Sequence, residues 1–389
     1  MVDRHGLGRT FEERAGTVPQ GPAGDDADGA ALLGSLAAWA TELGFSQIGV
    51  SGIDLRGAEP GLIAWLDAGF HGGMAYMATH GLKRARPAEL VPGTVRVISV
   101  RIDYLPMPRP GTDGDWRAVE WARLAQPEQA QVSIYARGRD YHKVLRGRLR
   151  ALAQRLADAV GPLGHRVFTD SAPVLEVELA QRAGLGWRGK HTLALSRDGG
   201  SMVFLGEIFI DRTLPLTPPV AAHCGSCTAC IDVCPTRAIV APYRLDARRC
   251  IAYLTIEHDG AIPVELRPLI GNRIFGCDDC QLACPWNKFA QRSTLADFDV
   301  RNGLDACSLL ELWTWDPAGF ERRTEGSAIR RIGFDRWRRN LAVATGNALR
   351  AGIAADAAIA LVAALIEARR GAGELVREHI DWALAEGCN

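Results

Sequence analysis

The sequence predicts a mixed α+β/α/β fold in three folded parts, and three observations carry that expectation. Short β-rich runs alternate with helical periodicities from Ala30 to about residue 213, which argues for a sheet covered by helices. Eight of the ten cysteines crowd between Cys224 and Cys284, which marks a separate, ligand-organised unit. Three Ala/Leu-rich segments joined by short Gly-containing turns close the chain, which points to a small helical cap. The expected boundaries are 1–29 for a disordered tail, 30–213 for the α/β domain, 214–292 for the cysteine-rich domain and 293–389 for the helical region.

Residues 1–29 are rich in Gly, Asp, Arg and Pro and show scarcely any apolar periodicity. From Ala30, Leu32, Leu33, Leu36, Trp39, Ala40 and Leu43 recur at helical spacing, and Gly44 stops the helix. An apolar stretch at Ile48–Val50, a helix near Leu62–Ala68, a strand at Val95–Ile102 and a loop at Pro106–Gly114 follow. Val132–Tyr135 reads as a short strand, and Tyr141–Val160 as a long basic amphipathic helix ended by Gly161-Pro162. His165–Thr169 is a strand, about Val174–Ala183 a helix, and Met202–Ile210 a strong strand. The Pro-rich linker Leu214–Pro219 delivers the chain to the cysteines. The closing helices are expected around Asp335–Ala351, Ala355–Arg370 and Gly373–Glu386, a HEAT-like arrangement of too few copies to count as a repeat.

Cys224, Cys227, Cys230 and Cys234-Pro235 form C-x2-C-x2-C-x3-C-P, the bacterial ferredoxin run, whose fourth cysteine ligates the other cluster. Cys277, Cys280 and Cys284-Pro285 repeat the run without its first cysteine, and Cys250 is available to replace it. Crossed ligation gives Cys224, Cys227, Cys230 and Cys284 to one [4Fe–4S] cluster and Cys234, Cys250, Cys277 and Cys280 to the other, a ferredoxin-like domain with two clusters. A disulfide framework suits small secreted domains, and no apolar leader opens this chain. Zinc has no use for the third closely spaced cysteine. Cys307 and Cys388 read as ordinary thiols.

The chain is 47% hydrophobic and 23% charged, with no run of the ~18 apolar residues that a membrane span needs. Thiolates feeding oxygen-sensitive clusters indicate a reducing cytoplasm. Lys+Arg and Asp+Glu are equal at 45 each, so no global attraction to nucleic acid is expected. Between Phe320 and Arg350, however, eight arginines face only Glu321, Glu325 and Asp335. From charge alone, a solvated helix face and a phosphate-binding patch are equal readings.

GLGWRG, Gly184 to Gly189, has the letter spacing of a dinucleotide-binding turn, but it follows a helix and precedes a strand, so that reading is rejected. Asp170 closes a strand, where ligands bind in open α/β sheets, and serves equally well as the N-cap of the next helix. YARGRDYH sets Tyr135, Arg137, Arg139, Asp140, Tyr141 and His142 at the opening of the long helix, with Asp140 a candidate cap and His142 a candidate surface imidazole. Lys190 and His191 precede a strand and read equally well as part of a turn.

YARGRDYH, FTDSAPVLE, AGLGWRGKHTL, FLGEIFI, the eight cysteines with outlying Cys250, CIAYLTIEH and DRWRRNLAVATGNAL together resemble the epoxyqueuosine reductase family, in order, from about Ala30 to the end. That family is iron–sulfur and cobalamin dependent and finishes queuosine synthesis on tRNA. The resemblance implies reductive loss of the epoxide oxygen of epoxyqueuosine at the tRNA wobble position, with base-off cobalamin in the α/β domain. It assigns Asp170 as the general acid, a role that needs a carboxyl kept protonated by burial. It places Ser133 near the cobalt face, where some relatives carry cysteine, and groups Tyr135, Asp170, Lys190, His191 and Thr192 around the cofactor. It favours phosphate contacts for Arg336, Arg338 and Arg339. The implied partners are the modified tRNA and a low-potential electron donor, with the enzyme a monomer. Two rivals share parts of this plan. A corrinoid reductive dehalogenase would usually carry a twin-arginine export signal, absent from this N-terminus, and a ferredoxin-like electron carrier would not need the domains on either side of the cysteines.

Overall fold

The computed structural model describes residues 26–108 and 114–387. Residues 1–25, where most of the expected tail falls, the centre of the Pro106–Gly114 loop and Cys388 lie outside the described residues. The first helix, α1 (Asp26–Glu42), begins before the expected boundary at Ala30. A helix's first turn needs no buried side chain, so apolar periodicity dates its start too late.

Strands β1 (Gln47–Ser51) and β2 (Arg96–Asp103) follow, and then β3 (Gln131–Val132). This last strand is shorter than Val132–Tyr135 because the chain turns at Ser133 into a 3-10 segment, Ile134–Ala136. Helix α2 (Tyr141–Val160), strand β4 (His165–Phe168), helix α3 (Glu176–Arg182) and strand β5 (Val203–Ile210) complete the domain. The main sheet has the order β1-β2-β5-β4, and all three pairings are antiparallel.

Side-chain alternation gives that sheet two buried faces. Ile98, Val100, Ile208 and Ile210 pack with Leu36 and Ala40 of α1 and with Leu145, Leu149, Leu152 and Leu156 of α2. On the other face Val97, Phe168 and Phe209 meet Leu179 of α3. The same face carries Glu207, paired across β2 with Ser99 and across β4 with Phe168. The turn after α3 approaches β1 so closely that a Cβ on Gly49 would meet the Ala183 carbonyl at 1.9 Å.

The cysteine region contributes α4 (Ile251–Ile256) and β6 (Arg273–Phe275), which pairs in parallel with β3 and joins the two domains through backbone hydrogen bonds. The closing helices are α5 (Gly333–Arg350), α6 (Ala355–Arg370) and α7 (Glu374–Glu386). Trp337, Leu341, Leu361, Leu365, Val376 and Ile380 hold them to a core that also includes Phe275 of β6. Burial of each such side chain is worth about 1.5–3 kcal/mol. No helix among the described residues is long and apolar enough to cross a membrane.

Candidate active site and cluster cavities

The two ferredoxin runs fold into matching turns. Short helices Ala229–Asp232 and Asp279–Leu282 carry Cys230 and Cys280, and Cys250 sits at the N-cap of α4. Cys224, Cys227, Cys230 and Cys284 line one cavity of about 360 Å³. Cys234, Cys250, Cys277 and Cys280 line another of about 420 Å³, whose far wall includes Asp170. The sorting follows the crossed pattern, and Cys250 stands with the second set. Cys307 is a buried thiol beside the Gly303 carbonyl, at 3.1 Å.

At the far wall, the first turn of α2 and the end of β4 build a polar chain. Asp140 caps α2, accepting the His142 amide at 3.1 Å, so the cap reading holds for Asp140. It does not hold for Asp170, because α3 begins only at Glu176 and is preceded by Leu175. Asp170 has φ +50°, a left-handed conformation unusual for a side chain larger than glycine. Its Oδ2 lies 3.0 Å from His142 Nε2 and accepts the Tyr141 hydroxyl, and its amide donates to Glu176 Oε1 at 2.5 Å. His142 Nδ1 lies 2.7 Å from Asp140 Oδ1.

These contacts revise the protonation expected at Asp170. Burial pushes its carboxyl up, but hydrogen bonds from His142 and Tyr141 outweigh that effect and hold it below the ordinary range. The resting proton is on the imidazole instead. Burial pulls His142 down, yet Asp140 and Asp170 together raise it to about 9. His142 is therefore a charged, half-buried imidazole held between two carboxylates, not a surface ring. A second cavity of about 780 Å³ opens on the other side of Asp170, walled by Tyr76, His80, Lys143, Arg330 and Arg331.

Ser133 and Tyr135 line the cavity that reaches Asp170. Ser133 Oγ donates to Asp278 Oδ1 at 2.5 Å and the Ile134 amide to Asp278 Oδ2 at 2.8 Å, tying this wall to the loop between Cys277 and Cys280. Tyr141 stacks on Phe204 with ring centroids 4.1 Å apart, and Tyr135 meets both edge-on. Thr192 lines the same cavity at φ +75°. His191 borders both cysteine cavities, and with its Nδ1 accepting the Leu193 amide at 3.2 Å, its buried Nε2 has no partner among the described residues. Lys190 requires a correction. It lines the first cysteine cavity and donates to the carbonyls of Gly225 at 2.7 Å and Cys227 at 2.8 Å, so it braces the cysteine loop and does not face Asp170.

The arginine expectation also changes. Arg339 is fully buried and spends its donors on the carbonyls of Leu254, His258 and Gly260 and on Asn340 Oδ1. Arg338 donates to the Trp315 carbonyl at 2.8 Å between the rings of Trp313 and Phe334. Arg336 donates to the carbonyls of Ile332, Ile256 and Arg331. These side chains staple α5 to the rest of the chain. Main-chain carbonyls that end helices consume arginine donors as readily as phosphates do, and charge counting does not see them.

Two further residues escaped the sequence reading. Glu176 lines both cavities that meet at Asp170, and Glu207 lies behind it, fully buried in β5. The signal was a lone carboxylate within the otherwise apolar FLGEIFI.

Two four-cysteine cavities, one of them continuous with an acid-lined pocket, define an iron–sulfur oxidoreductase. Residues 223–287 match the model of the 4Fe-4S double cluster binding domain, and residues 84–171 that of "Epoxyqueuosine reductase QueG, DUF1730". An epoxyqueuosine reductase of Alicycliphilus denitrificans is 67% identical over 92% of this chain and 98% of its own length. That of Escherichia coli is 53% identical over 90% of this chain and 87% of its own. The solved epoxyqueuosine reductase of Bacillus subtilis, with its catalytic loop swung out of the active site, superposes with a TM-score of 0.80 at 26% identity, covering 92% of this chain and 91% of that one. A solved epoxyqueuosine reductase with an epoxyqueuosine-modified tRNA-Tyr stem loop shares the fold at a TM-score of 0.76 and 24% identity, over 93% of this chain and 100% of that one. The chain belongs to the epoxyqueuosine reductase family. It is an oxidoreductase that reduces epoxyqueuosine to queuosine.

Proposed function

We propose that the reduction occurs on epoxyqueuosine at the wobble position of tRNA, with cobalamin held between the second cysteine set and Asp170. One observation carries this reading: Cys234, Cys250, Cys277 and Cys280 share a single continuous cavity with Asp170. The residues present fit a corrin. Aromatic and aliphatic side chains such as Tyr104, Leu193, Val203 and Phe204 suit its faces, and the unpartnered Nε2 of His191 suits its peripheral amides. Ser133 supports a cobalt face without a thiolate, and base-off binding is the mode the resemblance implies. Two clusters held by the cysteines in the crossed pattern would supply single electrons, and a cobalamin held beside Cys234, Cys250, Cys277 and Cys280 would supply the reducing power for the epoxide.

The remaining chemistry belongs to the protein. Opening the epoxide to an alkene consumes two electrons and two protons and releases water. Asp170 delivers the proton to the departing oxygen, and His142 Nε2, 3.0 Å away, returns one to its carboxylate. Tyr135, Tyr141 and Phe204 wall that proton transfer from water. The anticodon base enters through the opposite cavity, where Lys143, Arg330 and Arg331 meet phosphates in place of Arg336, Arg338 and Arg339. The domain plan of cobalamin-binding 30–213, cluster-binding 214–292 and tRNA-contacting 293–389 is proposed with this reading, as are a low-potential donor, a monomeric state and a cytoplasmic location.

The test is anaerobic reconstitution with iron, sulfide and cobalamin, then assay on epoxyqueuosine-containing tRNA, with the optical spectrum reporting base-off cobalamin. Asp170→Asn should keep the clusters and the cobalamin spectrum and lose about 100-fold or more in kcat. Unchanged turnover in that variant would remove Asp170 from the acid role. A protein that dehalogenates and forms no queuosine would return the corrinoid dehalogenase.

A further inference from the structure

The reaction needs two protons within a pocket that the substrate base itself closes, and Asp170 holds at most one. The structure provides more carboxyl chemistry behind it than a single acid requires. Glu176 Oε1 accepts the Asp170 amide at 2.5 Å, and the Glu176 side chain lines both cavities that meet at Asp170. Glu207 projects from the middle of β5 toward α3, 0% exposed. Both of its oxygens are buried with no amide, hydroxyl or cation to satisfy them among the described residues, and they face the carboxyl of Glu176.

Each neighbouring element adds to this setting. From β2, Ser99 stands opposite Glu207, and its hydroxyl is also buried without a partner among the described residues. Further along that face, Arg101 is engaged by Ser196 and Asp198. From the loop after β4 comes Asp170, and from α2 come Tyr141 and His142, both already bonded to Asp170. An unpaired carboxyl so placed is stable only with its proton on, because burying the naked charge costs far more than protonating it. Burial first, and then the nearby Asp170 charge, raises Glu176 to about 8, and burial with the facing Glu176 raises Glu207 well above the ordinary range.

We propose that Glu176 and Glu207 form a buried proton reserve that recharges Asp170 from the interior side while His142 serves it from the solvent side. The proposal rests on the reading of Asp170 as the acid. In the step, neutral Glu176 gives its proton to the Asp170 carboxylate, and neutral Glu207 then gives its own to Glu176. No electrons move in this relay. The two electrons arrive from the donor of the established reaction, and the deficit left on the pair is refilled through the open cavity once product leaves. Glu176 and Glu207 are positioning and supply residues, acting through Asp170.

Glu207→Gln keeps the shape and removes the stored proton. The amide can still donate to Glu176 as Glu207 does, so the loss should fall on the supply of protons: kcat should drop about tenfold on the alkaline side, with KM for tRNA unchanged. Infrared difference spectra should lose one protonated-carboxyl band in this variant, with or without cobalamin, and should retain it in Asp170→Asn. Glu207→Leu should melt no lower than the parent, since an apolar side chain replaces an unpaired buried carboxyl, and the alkaline limb of its kcat should move up, since the hydrogen bond that holds Glu176 down is lost. A lower Tm with an unmoved limb would make Glu207 merely structural and overturn the proposal. Parental rate, limb and infrared bands in Glu207→Gln, with Asp170→Asn inactive, would overturn the reserve and leave Asp170 in place. Full turnover in Asp170→Asn would overturn both.

Discussion

Raising the pH across the neutral range should destabilise this protein, and the magnitude follows from three side chains around one pocket. Glu176 moves from an ordinary 4.5 to about 8 on folding, through burial first and the Asp170 charge second. A carboxyl raised in this way binds its proton more tightly folded than unfolded. Its contribution is therefore whole below about pH 4.5 and is lost as pH rises to about 8. At about 1.36 kcal/mol per pKa unit, the loss is on the order of 4–5 kcal/mol. His142, raised from 6.5 to about 9, acts with the same sign over a higher window, and its contribution is lost between those values. Asp170 acts oppositely, its stabilisation disappearing only as pH falls below the ordinary carboxylate range. With an unfolding entropy of roughly 2.1 cal/mol/K per residue, a chain of this size loses about 1 °C of Tm per kcal/mol, so the glutamate window should carry a fall of about 5 °C. The assay is anaerobic thermal melting of the holoenzyme from about pH 5 to about pH 8.5 at one scan rate, beside the double variant Glu176→Gln/Glu207→Gln. The variant should be nearly flat until the His142 window opens. A parent Tm that holds or rises across the range, or a variant with the parent's slope, would refute the reasoning.

Three further outcomes follow from contacts described above. Cys250→Ser should leave about four irons per chain in place of about eight, because Cys250 stands with Cys234, Cys277 and Cys280; full iron content would break the crossed assignment. Arg339→Ala should destabilise by about 3–5 kcal/mol, stranding the carbonyls of Leu254, His258 and Gly260, while leaving KM for tRNA in the folded fraction unchanged; a raised KM at parental stability would restore the phosphate role. Arg331→Glu should raise KM for tRNA, lower the salt slope of binding by about one and spare kcat, and equal effects on a free nucleoside substrate would exclude a phosphate contact.

How far the sequence foretold this arrangement depended on whether a signal was local. The helix from Tyr141 to Val160 matches its expected bounds because the Asp140 cap, periodicity and Gly161 agree there, and the helix from Ala355 to Arg370 matches on periodicity and Gly371. Cysteine spacing foretold the sorting of eight thiols, since a ferredoxin run encodes its own turns. Rejection of GLGWRG as a dinucleotide turn holds for a similar reason: Trp187–Arg188 pairs with Ala194–Leu195 in a hairpin and opens no helix. What stayed hidden was long-range. Arg339 is adjacent to Asn340 in sequence, but its deciding partners lie about eighty residues earlier. Lys190 and His191 are neighbours, yet one braces the first cysteine loop and the other stands between two cavities. The protonation of Asp170 was misjudged because His142, 28 positions away, turned out to be its partner.

That misjudgement points to how the pocket divides its labour. In the proposed role, an acid that sat permanently protonated would be a weak acceptor between turnovers, whereas a carboxylate clamped by Tyr141 and a charged His142 would be recharged across a single hydrogen bond. The four cysteines and the Asp170 end of the proton chain line one cavity from different elements, so on the proposed reading electrons and protons would reach the substrate from separate parts of its wall. Separation matters chemically, because a proton donor beside a low-potential metal centre would be reduced in preference to the epoxide. Two acids stand in the second cysteine loop: Asp279, which accepts the Cys277 thiol at 3.2 Å, is neutralised by Arg273, and Asp278 is committed to Ser133 and to the Ile134 amide.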